Sequence, residues 1–116
     1  MNNTTATGRH VEQAVARHMQ GKGYTLLESN WRTRWCEIDL IMSKKKTIYF
    51  IEVKYRKNAH AGHGFEYITP KKVSQLYFAV DYWCSVNKYE GDVSLLGASV
   101  DGETSRLLLV PIERQP

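Results

Sequence analysis

The sequence predicts an α/β (α+β) domain in which a mixed central sheet is flanked by helices. Two segments carry apolar residues at helical spacing, two neighbouring runs rich in β-branched and aromatic residues form a hairpin pattern, and the second run is apolar on both faces. The predicted order is a helix, a three-stranded antiparallel unit, a second helix and two further strands.

Length and composition indicate one globular domain. The chain has 116 residues, of which 42% are hydrophobic and 24% charged. We expect residues 1–7 to be a disordered N-terminal segment and residues 8–116 to form a single domain. The two cysteines are too few for a disulfide framework or a zinc knuckle.

The chain carries no signal of a membrane or secreted protein. No apolar run approaches the roughly 18 residues that a membrane span needs, and the first residues lack the basic and hydrophobic segments of a signal peptide. We therefore expect a cytoplasmic protein without a membrane partner. A net charge of +4 mildly favours an anionic partner.

Each predicted element has its own local signal. The first helix places on one side Val11, Ala14, Val15, His18 and Met19. The second begins after Thr69 as N-cap, with Pro70 as its first residue. Residues 58–64, with His60 and His63, read as a surface loop. The predicted helices cover residues 8–20 and 70–86, and the strands cover 24–27, 37–42, 47–54, 93–100 and 106–113.

Two carboxylates interrupt the apolar hairpin strands, where an uncompensated charge is costly. If the hairpin turns about the Lys45–Lys46 bond, the numbers of facing residues sum to 91, so Asp39 lies opposite Glu52. Cross-strand side chains are about 5 Å apart at Cβ, and two carboxylates at that distance repel unless a proton or a cation lies between them.

The neighbouring groups suit a hard divalent metal. Side chains alternate along a strand, so Lys54 shares the face of Glu52, and the Val53 backbone carbonyl lies at the edge of the site. Oxygen ligands of this kind favour Mg²⁺ or Mn²⁺ and disfavour zinc. A water on such a metal is a better nucleophile toward a phosphodiester.

A structural interpretation of the same charges stays open. Asp39 pairs in that case with Arg32 or Arg34, and Glu52 pairs with Lys54, as ordinary ion pairs on a partly solvated edge. A slip of one residue in the hairpin would also move Asp39 to the other face.

The spacing of Asp39 and Glu52-Val53-Lys54 resembles the PD-(D/E)xK nuclease superfamily. More specifically, the chain is similar to the YraN-like family of predicted bacterial nucleases. The motifs that carry this similarity are Gly8-Arg9 with Glu12, Gly23-Tyr24, Asn30-Trp31-Arg32, Glu37-Ile38-Asp39-Leu40-Ile41, Phe50-Ile51-Glu52-Val53-Lys54-Tyr55-Arg56, and the downstream residues Gly62, Glu66, Thr69 and Lys72. The resemblance implies a restriction-endonuclease-like core.

The resemblance also implies roles for individual residues. Asp39 and Glu52 are expected to be metal ligands and Lys54 the catalytic lysine. Glu12, in the first helix, is an additional ligand or an acid that positions water, as in Holliday-junction-resolvase-like sites. Without the resemblance, a glutamate at the border of a buried helix stripe, such as Glu12, is more commonly a solvated surface residue.

Basic residues on both sides of these acids are candidates for nucleic-acid binding. Arg56, Lys57, Lys71 and Lys72 are expected to form a rim over the metal, close to the N-terminus of the second helix. Arg32 and Arg34 alternate with aromatic residues, a composition that can stack on unpaired bases.

Three functional hypotheses follow from these observations. The first is a Mg²⁺- or Mn²⁺-dependent nuclease that acts on DNA or RNA, with DNA favoured, with repair or recombination as one setting and a homodimer as one arrangement. The second is a non-catalytic nucleic-acid-binding module on the same fold. The third is a protein-interaction domain whose charges form only ion pairs.

Overall fold

A computed structural model describes residues 3–57 and 68–114 of the chain. The predicted loop at 58–64, with His60 and His63, lies outside the described residues. So do Gly62 and Glu66 of the resemblance. Within the described part, neither helix combines the length and the hydropathy that a membrane-spanning segment needs.

One five-stranded sheet with two helices forms the fold, in the predicted order of elements. The helices are α1 (Asn3–Gly21) and α2 (Pro70–Val86), and the strands are β1 (Thr25–Arg32), β2 (Glu37–Lys44), β3 (Thr47–Arg56), β4 (Asp92–Asp101) and β5 (Leu107–Pro111). The strand order is β1-β2-β3-β4-β5. β3 and β4 are parallel and the other pairs are antiparallel, so the sheet is mixed as predicted.

Strand β3 lies at the centre of the sheet and is covered on both faces, as its apolar run predicts. Ile48 and Phe50 face α2, whereas Ile51 and Val53 face α1. Each helix therefore closes a separate core. The α2 side contains Ile38, Ile41, Ile48, Phe50, Val73, Leu76, Ala79, Val80, Trp83 and Leu95, and the α1 side contains Val15, Ala16, Met19, Leu40, Met42, Ile51 and Ala98.

The β2–β3 hairpin has the predicted register. Lys44 pairs with Thr47 and Leu40 pairs with Ile51, and in both pairs the residue numbers sum to 91. Lys45 and Lys46 form the turn with φ values of 49° and 70°, the left-handed conformation that two-residue hairpin turns require. The local turn thus fixes which residues of the two strands face each other.

Several boundaries differ from those predicted. Helix α1 begins at Asn3 rather than Gly8, so residues 3–7, expected to be disordered, form its first turns. Its buried face contains Ala16 and Met19 but leaves Ala14 exposed, so it is rotated from the predicted stripe toward Glu12. Strand β1 continues to Arg32 because it pairs with β2 along its whole length, a long-range contact that propensity does not show.

The N-cap of α2 is confirmed in detail. Thr69 has extended backbone angles, and its side chain accepts a hydrogen bond from the Lys72 backbone N–H at 3.1 Å. Pro70 follows as the first helical residue, where its missing N–H has no cost. This cap fixes where the helix begins and therefore where Lys72 is placed.

Removing this cap should destabilise the protein by a predictable amount. We expect Thr69→Ala to lower the free energy of unfolding by about 1 kcal/mol, because a helix N–H loses its acceptor. Thr69→Ser keeps a hydroxyl acceptor and serves as the control. Urea denaturation measures both variants, and equal stabilities for the two would contradict this account of the helix start.

Candidate functional site

Asp39 lies where the ladder between β2 and β3 ends. Backbone pairing runs from Lys44 to Leu40 and stops there. Beyond Leu40, the Asp39 side chain replaces the backbone as acceptor: its Oδ2 atom accepts a hydrogen bond from the Val53 N–H at 2.7 Å. Continuing the register by one residue places Asp39 beside Glu52, the juxtaposition predicted from the sequence.

Both carboxylates are poorly solvated and both have raised pKa values. Burial, followed by repulsion from Glu52, raises the pKa of Asp39 to about 8, despite the hydrogen bond from Val53. Burial also raises the pKa of Glu52, against the opposing effect of the Lys72 charge. The pair therefore disfavours two negative charges unless a cation is present.

One oxygen of Glu52 has no partner among the described residues. Its side chain is only 12% exposed, and Oε2 lies 3.7 Å from the Lys72 ammonium. The other oxygen, Oε1, is buried without a hydrogen-bond donor in the described part of the chain. A buried carboxylate oxygen without a donor is costly, and a cation would remove that cost.

The donors present fit a hard cation that keeps water ligands. In the described ranges, no three His, Cys, Asp or Glu side chains are arranged to hold a metal ion together. The candidate protein donors are the two carboxylates predicted from the sequence, Asp39 and Glu52, with the Val53 carbonyl beside them. That carbonyl points toward β2 because the N–H and C=O of one residue in an antiparallel strand face the same neighbour. Mg²⁺ is commonly bound through one or two carboxylates together with waters and phosphate.

Lys72, rather than Lys54, is the cation that contacts Glu52. The side chain of Lys54 is exposed and forms no ion pair within the described residues, although its charge lowers the pKa of Glu52. The structural interpretation that paired Glu52 with Lys54 is therefore wrong. Lys72 is placed by the α2 N-cap, and the sequence indicated it only as part of a basic rim.

The other ion pair expected under the structural interpretation is also wrong. Arg32 lies 3.5 Å from Glu37 and not against Asp39. Arg34 lies over the ring of Trp35, with its guanidinium carbon 5.6 Å from the ring centroid. In the described ranges, no basic side chain lies within salt-bridge distance of the Asp39 carboxylate.

Glu12 reaches the site through Asn30. The Asn30 side-chain amide donates hydrogen bonds to Glu12 Oε1 at 2.8 Å and to Glu37 Oε2 at 2.9 Å. The charges of Glu12 and Glu37 both contribute to the raised pKa of Asp39. The first helix therefore contributes an acid to this edge of the sheet, where the resemblance expects one.

Sequence reasoning did not identify Asn30 and Glu37 as part of the site. Asn30 has a φ of 52° and faces Asp39 between the Ser29–Leu40 and Trp31–Ile38 pairs of β1 and β2. Asparagine adopts this left-handed conformation more readily than most residues. The residue type itself, an asparagine between the first predicted strand and the aromatic and basic residues Trp31 and Arg32, is the signal that could have marked this backbone position.

The remaining basic candidates, Arg56, Lys57 and Lys71, form no ion pair with the acids within the described residues. Lys57 and Lys71 are exposed. Arg56 lies two residues beyond Lys54, and its Nε is buried with no hydrogen-bond partner in the described part of the chain. These three side chains, together with Lys54 and Lys72, give this end of the sheet a positive margin.

Comparison with known proteins places the chain in a family. The model of the family described as "Uncharacterised protein family UPF0102" matches residues 11–108. The chain belongs to this family. A UPF0102 protein of Clavibacter michiganensis is 42% identical over 80 residues, which cover 69% of this chain and 68% of that protein.

Other UPF0102 relatives are nearly as similar. One from Vibrio cholerae is 38% identical over 86 residues, covering 74% of this chain and 70% of the relative. One from Fusobacterium nucleatum is 34% identical over 88 residues, covering 76% of this chain and 74% of the relative. Glu12, Asn30, Asp39, Glu52 and Lys72 all lie inside the matched region of the UPF0102 model.

The raised pKa of Asp39 predicts a pH dependence of stability in this UPF0102 domain. The folded state binds the Asp39 proton more tightly than the unfolded state, so the contribution of Asp39 to stability is most favourable below its unfolded pKa near 4 and is lost as the pH rises to about 8. We expect Asp39→Asn, which can still accept the Val53 hydrogen bond, to raise the free energy of unfolding by about 2 kcal/mol or more at pH 8.

Denaturation of metal-free protein at pH 4.5 and pH 8 measures this difference. Asp81→Asn is the matched control, because Asp81 is exposed and paired with Arg114. An Asp39→Asn variant that is destabilised equally at both pH values would show that the carboxylate is compensated in the folded state.

Proposed function

We propose that this UPF0102 protein is a metal-dependent nuclease that hydrolyses phosphodiester bonds, with DNA as the favoured substrate. The observation that carries the proposal is the buried Asp39–Glu52 pair, in which Glu52 Oε1 has no donor within the described residues. Such a pair is costly to the fold by itself and suits a divalent cation. The resemblance to PD-(D/E)xK and YraN-like nucleases supports the same reading.

In this proposal Asp39, Glu52 and the Val53 carbonyl hold Mg²⁺ or Mn²⁺. The cation supplies charge stabilisation on the phosphate and a bound water of lowered pKa. Lys54, exposed beside Glu52, neutralises charge on the phosphate during in-line attack. Glu12, held by Asn30, is placed to orient water on the α1 side.

In this proposal the basic residues near the site bind the phosphate groups of the substrate. Arg56, Lys57, Lys71 and Lys72 surround the acids, and the capped N-terminus of α2 adds backbone N–H groups that attract phosphate. Arg32 and Arg34 extend this basic margin toward the turn before β2. A cytoplasmic location and a role in repair or recombination remain expectations of the sequence.

A non-catalytic nucleic-acid-binding module is the second candidate. The observation that favours it is the small number of acidic donors, because no three acidic or histidine side chains in the described ranges converge on one point. Binding would then tolerate EDTA, weaken with salt, and be unchanged or improved in Glu52→Gln.

Cleavage assays decide between the two candidates. Wild-type protein should cut a panel of single-stranded, duplex, flap and four-way-junction DNA when Mg²⁺ or Mn²⁺ is present, and EDTA should abolish cutting. We expect Glu52→Gln to reduce turnover at least 100-fold, because the metal loses a ligand. Glu103→Gln, in the exposed turn before β5, is the matched control. Salt-sensitive binding with every substrate intact would favour the binding module.

The two lysines near Glu52 should differ in what their removal changes. Lys54→Ala should lower kcat with little change in thermal stability, because this side chain is exposed and forms no ion pair in the described part of the structure. Lys72→Ala should lower stability, because Glu52 loses the cation against its buried carboxylate. Thermal scans and single-turnover cleavage of both variants test this, and a stability loss confined to Lys54→Ala would reverse the assignment.

A further inference from the structure

Four aromatic side chains from α2, the turn before β2 and the end of β1 form a connected patch, in which the β1 member, Trp31, is partly buried against the core. Its members are Trp31, Trp35, Phe78 and Tyr82, referred to below as the aromatic patch. Trp35 is 54% exposed, Phe78 47% and Tyr82 46%. Single exposed apolar residues are ordinary, but an exposed cluster of large rings marks a contact surface.

The rings of the patch contact one another in a connected chain. Trp35 meets Phe78 edge to face, with ring centroids 4.9 Å apart. Phe78 and Tyr82 are within 5° of parallel at 6.4 Å, and Trp31 lies 6.1 Å from Tyr82. The Thr33 hydroxyl accepts a hydrogen bond from the Trp35 backbone N–H at 3.1 Å and so helps to hold the turn. A preformed surface of this kind loses little entropy when a ligand binds.

Positive charge accompanies the patch. Arg34 lies over the Trp35 ring, and exposed Lys71 shares a helix face with Phe78 and Tyr82, which follow it by seven and eleven residues. The nearby acid Asp81 is neutralised by Arg114 at 3.1 Å. Aromatic faces interleaved with cations complement nucleic acid, whose bases stack and whose phosphates are negative.

The aromatic patch and the candidate site are carried by the same two parts of the fold, α2 and the start of β2. Trp35 precedes β2 by two residues, and β2 carries Asp39 two residues into the strand. Helix α2 joins both surfaces, since Lys72 in its first turn contacts Glu52 and Phe78 lies about 9 Å further along the axis. A nucleic-acid strand bound on the patch would therefore lie near the parts of β2 and α2 that carry Asp39 and Lys72.

We propose that the aromatic patch binds unpaired bases of single-stranded or branched nucleic acid and directs the adjoining phosphodiester to the Asp39–Glu52 site. The proposal that the patch binds unpaired bases depends only on the geometry of the patch. The proposal that it directs the phosphodiester to Asp39 and Glu52 rests on the proposed nuclease function. The substrate class is thus nucleic acid with unstacked bases rather than continuous duplex.

Binding measurements in EDTA test the first half without any need for cleavage. Fluorescence anisotropy compares a labelled single strand with a duplex of equal length. We expect Trp35→Ala and Phe78→Ala each to weaken single-strand binding about tenfold, with a change of less than about twofold for duplex. Phe78→Leu should lose affinity like the alanine variant because it keeps apolar bulk without a ring, whereas Phe78→Trp and Trp35→Phe should retain it.

Val86→Ala is the matched control, because Val86 is apolar, 59% exposed and on the same helix but outside the patch. Circular dichroism confirms that each variant is folded. Equal losses on single strand and duplex, full affinity in Phe78→Leu, or a wild-type protein that does not bind single strands would each overturn the proposal. Sedimentation showing a dimer that Phe78→Ala dissociates, with unchanged single-strand binding, would instead assign the patch to self-association.

The two proposals can fail separately. Single-strand binding that depends on Phe78, without cutting in Mg²⁺ or Mn²⁺, would reject the nuclease and keep the patch. Metal-dependent cutting with KM and kcat unchanged in Phe78→Ala would reject the patch and keep the nuclease. If both hold, the variant should raise KM for single-stranded or branched DNA about tenfold and leave kcat close to wild type.

Discussion

The hydrogen bond from the Val53 N–H to the Asp39 carboxylate is the contact around which the candidate site is arranged. A central strand must satisfy each backbone N–H, and on its β2 side β3 does so through backbone pairing only as far as Ile51. Beyond that point a side chain replaces the backbone acceptor. This substitution draws an acidic group into the sheet and places it against Glu52, where two buried carboxylates repel each other.

The two helices bring their polar residues to this pair because they cover opposite faces of the same strand. Alternation along β3 directs Phe50 and Glu52 toward α2, and Ile51 and Val53 toward α1. Packing of α2 on the first face carries Lys72 to Glu52. Packing of α1 on the second face carries Glu12 to Asn30 and so to the margin of Asp39. The apolar core thus determines which charges meet.

Local signals were enough to predict the parts of the site that depend on nearby sequence. The two-residue turn at Lys45 and Lys46 fixes the hairpin register, and the register places Asp39 beside Glu52. Thr69 followed by Pro70 fixes the start of α2. In both cases the responsible residues are within a few positions of the feature, so no tertiary information was needed.

Long-range contacts decided what the sequence could not predict. Lys54 is adjacent to Glu52 in the chain, yet its side chain is exposed, and Lys72, 20 residues away, contacts the carboxylate. Asn30 connects Glu12 and Glu37 only because β1 pairs with β2 along its full length. The rotation of α1 toward Glu12 likewise follows from packing on the sheet rather than from helical periodicity.

Charge balance explains why a cation would bind at Asp39 rather than at another acid of the site. Glu37 is paired with Arg32, Glu52 with Lys72, and Glu12 is held by the amide of Asn30. Asp39 receives only a neutral N–H and has no basic side chain within salt-bridge distance in the described ranges. The ionised form of Asp39 is therefore the least compensated of these carboxylates, while the chain as a whole carries a charge of +4. Under the proposed nuclease function, the basic margin would attract an anionic polymer, and a divalent cation between its phosphate and Asp39 would balance both charges.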